Sequence, residues 1–183
     1  MIRFFDLLIS FLGLILLSPL LLLITIIIYF ENKSPFFLQK RVGKSLKIFT
    51  LIKFRTMALD TLDTPSHLLK KAKITKLGIF LRKYKIDELP QLFNVLRGEM
   101  SIVGPRPSLP TQIDLIKSRK NYGLFNVKPG ITGLAQIKGI DMSDPLLLAK
   151  TDYEMVFNFN PIKYFFFIFF TLIGFGSGDK VNH

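Results

Sequence analysis

Residues 7–30 carry no charged side chain, and this property limits the fold more than any other feature of the chain. An apolar run of that length satisfies the requirement for a membrane segment, about 20 residues for a hydrocarbon core of roughly 30 Å. A cleavable secretory leader needs a shorter apolar region and a small-residue cleavage site. Ile27-Ile28-Tyr29-Phe30-Glu31 offers none, so the segment is expected to stay attached. Ser18-Pro19 falls near its middle, and a proline there removes one helical hydrogen bond, so a kink is expected. Residues 4–17 would make about 21 Å of helix and residues 20–30 about 16 Å. Neither half crosses alone. Two arrangements fit these lengths: a helix-break-helix that dips into the bilayer and returns, and a kinked, tilted span. Arg3 on one flank and Lys33, Lys40, Arg41, Lys44 and Lys47 on the other give both ends the charge preferred on the cytoplasmic side.

Beyond that segment, a chain of 183 residues has room for one compact domain. Its net charge of +12 points to polyanionic partners: nucleic acid, an anionic membrane surface or phosphorylated substrates. An apolar content of 49% tilts that choice toward the membrane. The chain has no cysteine, which excludes disulfides, thiol catalysis and cysteine metal sites. With only His67 and His183, a histidine metal cluster or a Ser-His-Asp triad has nothing to be built from. Any metal would be a hard, oxygen-bound one, and magnesium on carboxylate and phosphate is the candidate.

The chemistry concentrates at Asp87-Glu88, two adjacent carboxylates among cations. Leu89, Leu92, Phe93 and Leu96 fall at helical spacing, and Gly98 follows as a stop. The spacing predicts a helix of about ten residues with Asp87 as N-cap and Pro90 in the first turn. Such a helix start favours an ionised carboxylate and attracts phosphate, so a nucleophile and an anion site could coincide. Asp-Glu at a helix start is also common capping chemistry. The surroundings favour more than that. Lys73, Lys76, Arg82, Lys83 and Lys85 precede the pair, and Gly104-Pro105-Arg106-Pro107 follows as a rigid turn that fixes one more guanidinium.

Ile86-Asp87-Glu88-Leu89-Pro90-Gln91-Leu92-Phe93-Asn94-Val95-Leu96, Gly98-Glu99-Met100-Ser101 and Val103-Gly104-Pro105-Arg106-Pro107 together resemble the signature of bacterial sugar transferases. These are the monotopic phosphoglycosyl transferases, which move a sugar phosphate from a UDP-sugar to a polyprenyl phosphate. Gln39-Lys40-Arg41-Val42-Gly43, Lys53-Phe54-Arg55-Thr56-Met57 and Lys128-Pro129-Gly130-Ile131-Thr132-Gly133-Leu134-Ala135-Gln136 extend the likeness over nearly the whole chain. The resemblance implies Asp87 as nucleophile, and Glu88 either takes a proton from the acceptor phosphate or orients Asp87 and the metal. Lys53, Arg82 and Arg106 are the expected phosphate contacts, with Pro105 and Pro107 framing the last. It implies Mg2+ as cofactor with Asp87 as the protein ligand, and UDP-sugar, undecaprenyl phosphate and inner-membrane lipid as partners. Through Arg3, Asp6 and Ser18-Pro19 it implies the re-entrant form, with the catalytic domain facing the cytoplasm. One departure stands out: Gly139-Ile140 occupies a place where the family often has Gly-Arg, which removes any substrate contact made by that arginine.

The expected architecture is α+β and predominantly helical. It comprises a re-entrant membrane hairpin over residues 1–30, broken at Ser18 and Pro19, and a small catalytic domain over 31–183 with interfacial amphipathic helices. Residues 36–38 and 48–52 read as strands. Asp60 to His67 has no periodicity and reads as a loop beside the site. Ile74, Leu77, Phe80, Leu81 and Tyr84 form one face of a helix whose other face is cationic, suited to a membrane surface or to plain packing. Pro110 to Lys120 is a short helix candidate, Lys128-Pro129-Gly130 a turn, and residues 145–157 a helix carrying Asp152. Residues 162–175 are aromatic and too short to span, and fit an interfacial helix or a core one. A nucleic-acid binder would explain the net charge alone. The cations are dispersed among apolar stretches, however, and no helix-turn-helix, zinc-finger or RNA-binding signature is present, so nucleic acid is not an expected partner. A non-catalytic lipid-binding scaffold would leave the carboxylate pair without a purpose.

Overall fold

A computed structural model describes residues 1–58 and 74–174. The expected loop at 60–67, Lys73 and both histidines lie outside the described residues. Helix α1 (Ile2–Asn32) is one long apolar helix, of a length and composition that suit membrane association. A hairpin follows, β1 (Phe36–Val42) antiparallel to β2 (Ile48–Phe54), with Phe36 opposite Phe54 and Val42 opposite Ile48. Helix α2 (Lys76–Lys83), a 3-10 turn (Ile86–Glu88) and helix α3 (Gln91–Leu96) come next. A second, two-stranded sheet pairs β3 (Ser101–Val103) in parallel with β4 (Gly130–Thr132), across a crossover containing α4 (Ile113–Asn121). The chain closes with α5 (Leu134–Ile137), α6 (Pro145–Phe157) and α7 (Pro161–Leu172). The predominantly helical α+β class expected from the sequence is what the chain adopts.

The helical assignment is continuous through Ser18-Pro19, and a bend at the proline is compatible with that continuity. Pro19 has no N–H for the carbonyl of Ile15, four residues earlier, and an unpaired carbonyl in apolar surroundings is costly. Ser18 supplies the missing donor: its hydroxyl bonds the Ile15 carbonyl at 2.7 Å. The helical assignment therefore runs through the proline.

Both ends of α1 dock on the rest of the protein. Near the start, Arg3 donates to the Val95 and Leu96 carbonyls at the end of α3, at 2.7 and 3.3 Å. Asp6 is buried, and its Oδ1 accepts from Ser101 Oγ, the Ile102 amide and the Tyr164 hydroxyl at 2.9 to 3.0 Å. Near the other end, Ile24 and Ile28 pack against Phe54 and Leu81. Ile15, Leu16 and Leu20, between the two docked ends, are exposed.

The main core joins Phe49 and Leu51 of β2, Val95 of α3, Ile102 and Val103 of β3, Met155 of α6, and Tyr164 and Phe167 of α7. Helix α7 thus divides its residues. Tyr164 and Phe167 face the core, while Phe165, Phe166, Phe169 and Leu172 stay exposed, with Phe165 edge-on to Phe5 of α1 at 5.1 Å. On α2, Leu81 is buried and Leu77 packs beside it, but Ile79, Phe80 and Tyr84 are exposed. The expected one-sided apolar face is split between packing and solvent.

Candidate active site

Asp87 and Glu88 do not open a ten-residue helix. They sit in the 3-10 turn, α3 is six residues long, and Pro90 rather than Asp87 occupies its N-cap position. The reason is again a proline. Pro90 cannot donate to the Ile86 carbonyl, so that carbonyl is taken by the Leu89 amide in a tighter i to i+3 bond at 3.1 Å. Lys85 before the turn adopts a left-handed conformation at φ 56°, which separates it from α2. Both carboxylates are buried, at 8 and 9% exposure. The positive charge facing them comes from side chains instead of a helix start.

Lys53 and Arg106 converge on one atom. Lys53 Nζ lies 2.7 Å and Arg106 NH1 3.1 Å from Glu88 Oε1. Lys53 is the penultimate residue of β2, brought here by pairing of that strand on both edges. β1 occupies one edge, and on the other the Asn94 side chain of α3 accepts from the Ile52 amide and donates to the Thr50 carbonyl. A side-chain amide thus does what a third strand would do, and ties Lys53 to the helix that follows the carboxylate pair.

Arg106 is delivered by a turn held through its carbonyls. Pro105 and Pro107 have no N–H, so only their oxygens can be gripped. The Pro105 carbonyl accepts from the Gly130 amide at 2.9 Å, that of Arg106 from Arg119 NH1 at 2.7 Å, and that of Pro107 from Arg41 NH1 at 2.9 Å. Gly104 and Gly130 allow the approach: a Cβ on Gly130 would come 2.0 Å from the Gly104 nitrogen. Arg41 also bonds Gln39. A small cavity beside the pair is lined by Leu51, Lys53, Gln91, Arg106, Pro107 and Gly130.

Arg82 is placed by a different contact. Its Nε donates to Thr56 Oγ1 at 2.9 Å, and its NH1 is buried without a hydrogen-bond partner among the described residues. A buried guanidinium N–H left unpaired is an open position for an anionic oxygen. Lys85 adds a cation near the pair. Burial pushes its ammonium below the ordinary lysine range, Glu88 opposes that, Arg106 adds to it, and Asp87 opposes it.

The structure therefore brings Lys53 and Arg106 onto Glu88, with Asp87 in the same turn and Pro105 and Pro107 flanking Arg106. Ser18 and Pro19 lie elsewhere, on the exposed middle of α1. Sequence reasoning passed over Asn94 and Arg119. The first left a signal, a polar residue amid the apolar positions of α3. The second left none, since it stands in a helix already rich in lysines, with its partner Asp152 far along the chain.

Oxygen donors for a hard cation are few. Glu88 Oε1 is engaged by two cations, Asp87 stands beside it in the same turn, and no cluster of three acidic or histidine residues occurs among the described residues. One carboxylate supplemented by substrate phosphates and water is how magnesium is often held, so the residues present fit it.

The architecture is a long apolar helix, of a length and composition consistent with membrane association, docked on a small α+β body with a buried carboxylate pair among cations. The family described as Bacterial sugar transferase matches residues 1–175, and the chain belongs to that family. It is 35% identical over 166 residues to UDP-N-acetylgalactosamine-undecaprenyl-phosphate N-acetylgalactosaminephosphotransferase of Aeromonas hydrophila, covering 86% of this chain and 39% of that protein. It is 43% identical over 144 residues to UDP-glucose:undecaprenyl-phosphate glucose-1-phosphate transferase of Klebsiella pneumoniae, covering 75 and 30%. The exopolysaccharide production protein ExoY of Sinorhizobium fredii is 40% identical over 155 residues, covering 75 and 68%. The chain thus spans about a third of the length of two of these relatives and two thirds of the other.

Proposed function

We propose that this protein transfers a sugar 1-phosphate from a UDP-sugar to undecaprenyl phosphate, releasing UMP, as the first membrane step of a bacterial glycoconjugate. The observation that carries this reading is the buried Asp87-Glu88 turn with Lys53 and Arg106 meeting on Glu88, in a chain of this family. A carboxylate Oδ of Asp87 attacks the sugar-bearing phosphorus. The bond from that phosphorus to the bridging oxygen breaks, its electron pair leaves with UMP, and an aspartyl phosphosugar remains. An oxygen of undecaprenyl phosphate then attacks the same phosphorus and expels the Asp87 carboxylate. Splitting the transfer in two gives ping-pong kinetics.

Lys53, Arg82 and Arg106 serve charge that spreads over phosphate oxygens in the transition state. In the resting site Glu88 holds Lys53 and Arg106 in place. A phosphate monoester has a second pKa of about 6 and is largely dianionic at neutral pH, so the acceptor has little proton to lose. This favours the orienting role of Glu88 over the proton-accepting one. Magnesium, held by Asp87 and the diphosphate, would neutralise substrate charge when bound.

For topology we favour the re-entrant arrangement at the inner membrane, with both ends of α1 and the catalytic residues on the cytoplasmic side. Docking of Arg3 and Asp6 at one end and of Ile24 and Ile28 at the other on the same body supports it, because a helix that spans leaves only one end on that side. The exposed apolar residues of α7 and α2 would then rest in the interface.

Two experiments test the reading. Purified protein incubated with a panel of UDP-sugars and undecaprenyl phosphate is expected to release UMP with one or more of them. Intact-protein mass spectrometry after mixing with the UDP-sugar alone is expected to show a phosphosugar adduct that Asp87→Asn lacks. An adduct on Asp87→Asn, or initial rates that require both substrates bound together, would remove Asp87 from the nucleophile role.

A further inference from the structure

The ion pair between Arg119 and Asp152 is the most deeply buried one among the described residues, with side-chain exposures of 3 and 0%. Arg119 Nε and NH2 both donate to Asp152 Oδ2, at 3.1 and 2.6 Å. That leaves NH1 pointing along the plane of the guanidinium, where it donates to the Arg106 carbonyl at 2.7 Å.

Stability does not explain this arrangement. Withdrawing two charges from water is costly, and well-packed apolar side chains in place of such a pair are often as stable or more so. Asp152 is not even fully satisfied, since its Oδ1 is buried without a hydrogen-bond partner among the described residues. What the pair does supply is direction. A carboxylate that takes two N–H groups of one guanidinium fixes its plane, and the remaining N–H is then aimed at one peptide carbonyl. That carbonyl belongs to the residue whose side chain meets Glu88, and its neighbours on both sides are prolines with no N–H of their own to anchor the turn.

We infer that Arg119 and Asp152 are positioning residues for Arg106, setting the backbone from which its guanidinium reaches the phosphate of the substrate. The inference rests on the proposed role of Arg106 as a phosphate contact. Three consecutive carbonyls are gripped from three separate elements, β4, α4 and β1, and the middle grip depends on the buried Arg119–Asp152 pair. Lysine at 119 could keep the charge but not the three coplanar donors.

The test is a double-mutant cycle between the pair and its target. Arg119→Met/Asp152→Leu replaces the pair by apolar groups and is expected to keep the thermal midpoint within about 3 °C of the native protein. Its kcat/KM for the UDP-sugar is expected to fall about a hundredfold, the order that a misplacement of about 1 Å can produce. Made on top of Arg106→Ala, the same change is expected to cost no more than about twofold, because its target is already gone. Equal losses in both backgrounds, or an unchanged kcat/KM in the first, overturn the inference. If the apolar pair fails to fold, Arg119→Lys takes its place in the cycle with the same expectations for kcat/KM. Calorimetric binding of UDP gives the same cycle without turnover. Coupling in UDP affinity with no UMP produced by the native protein would refute the proposed reaction and leave the positioning intact, whereas turnover without coupling refutes the positioning alone.

Discussion

Lys53 and Glu88 form a 2.7 Å ion pair between side chains that are about nine-tenths buried, and Arg106 shares the same Glu88 oxygen. Removing the carboxylate therefore leaves two cations without their common counterion. Glu88→Gln is expected to slow formation of the adduct and its transfer alike, since both steps use the cations that Glu88 holds. It should also cost several kcal/mol of stability, on the order of 3 for a broken buried pair. Rapid-quench measurement of each half-reaction checks this. Build-up of adduct in Glu88→Gln would instead assign Glu88 to proton transfer in the second step.

Ser18 and Pro19 act as a unit. Ser18→Ala leaves the Ile15 carbonyl without a donor, and about 1 to 3 kcal/mol of stability should be lost in lipid or detergent. Replacing Pro19 as well restores an N–H at that position, so Ser18→Ala/Pro19→Ala should regain most of the loss. Thermal unfolding of the three proteins in one detergent decides it. A double variant no better than Ser18→Ala would mean that the hydroxyl has another task. The same cysteine-free chain permits a topology probe: a cysteine at Ile2 is expected to be shielded from periplasmic reagents in intact cells, and labelling from that face would sink the re-entrant arrangement.

Local patterning made much of the fold legible. The boundaries of α6 follow from Pro145 at its start, and α7 from Pro161 with its aromatic run. The hairpin strands extend the predicted 36–38 and 48–52 by several residues, because Val42 and Phe54 continue the apolar pairing. Helix α4 starts at Ile113 and not at Pro110, since Gln112 folds its side chain back to the Leu109 amide. The short parallel strands β3 and β4 were not legible, as three residues carry no period and their pairing depends on Gly104 and Gly130 meeting across a crossover. In the site, the identity of the carboxylates and cations could be read, but not which cation met which carboxylate. Those pairings are long-range, and so are Arg119 with Asp152 and Asp6 with Tyr164.

Burial pushes the Asp152 carboxyl above the ordinary range, and Arg119 pulls it back. Arg119→Met alone removes the opposing charge, so the folded-state pKa rises further while the unfolded value stays near about 4. Over the window above that value the folded state then holds a proton the unfolded state has lost, and stability falls as pH rises through it. Thermal midpoints of Arg119→Met should therefore decline from about pH 4.5 upward relative to Arg119→Met/Asp152→Leu, which has no carboxyl there. Parallel curves for the two variants would show that Asp152 is not the titrating group.

Metal dependence follows from how little the protein itself offers. Glu88 is committed to Lys53 and Arg106, Asp87 is the ligand expected from the family resemblance, and a single carboxylate binds magnesium weakly. The diphosphate of the substrate must then supply much of the affinity. Magnesium alone is expected to leave the thermal midpoint unchanged, while magnesium with UDP should raise it by several degrees, on the order of the stabilisation that ligand linkage gives at saturating concentrations. Asp87→Asn should lose most of that joint shift even though UDP still meets Lys53, Arg82 and Arg106. Chelation should abolish UMP release, and added magnesium should restore it. Undiminished release in excess EDTA would exclude a metal role, and a large shift from magnesium without UDP would mean that ligands beyond Asp87 hold it.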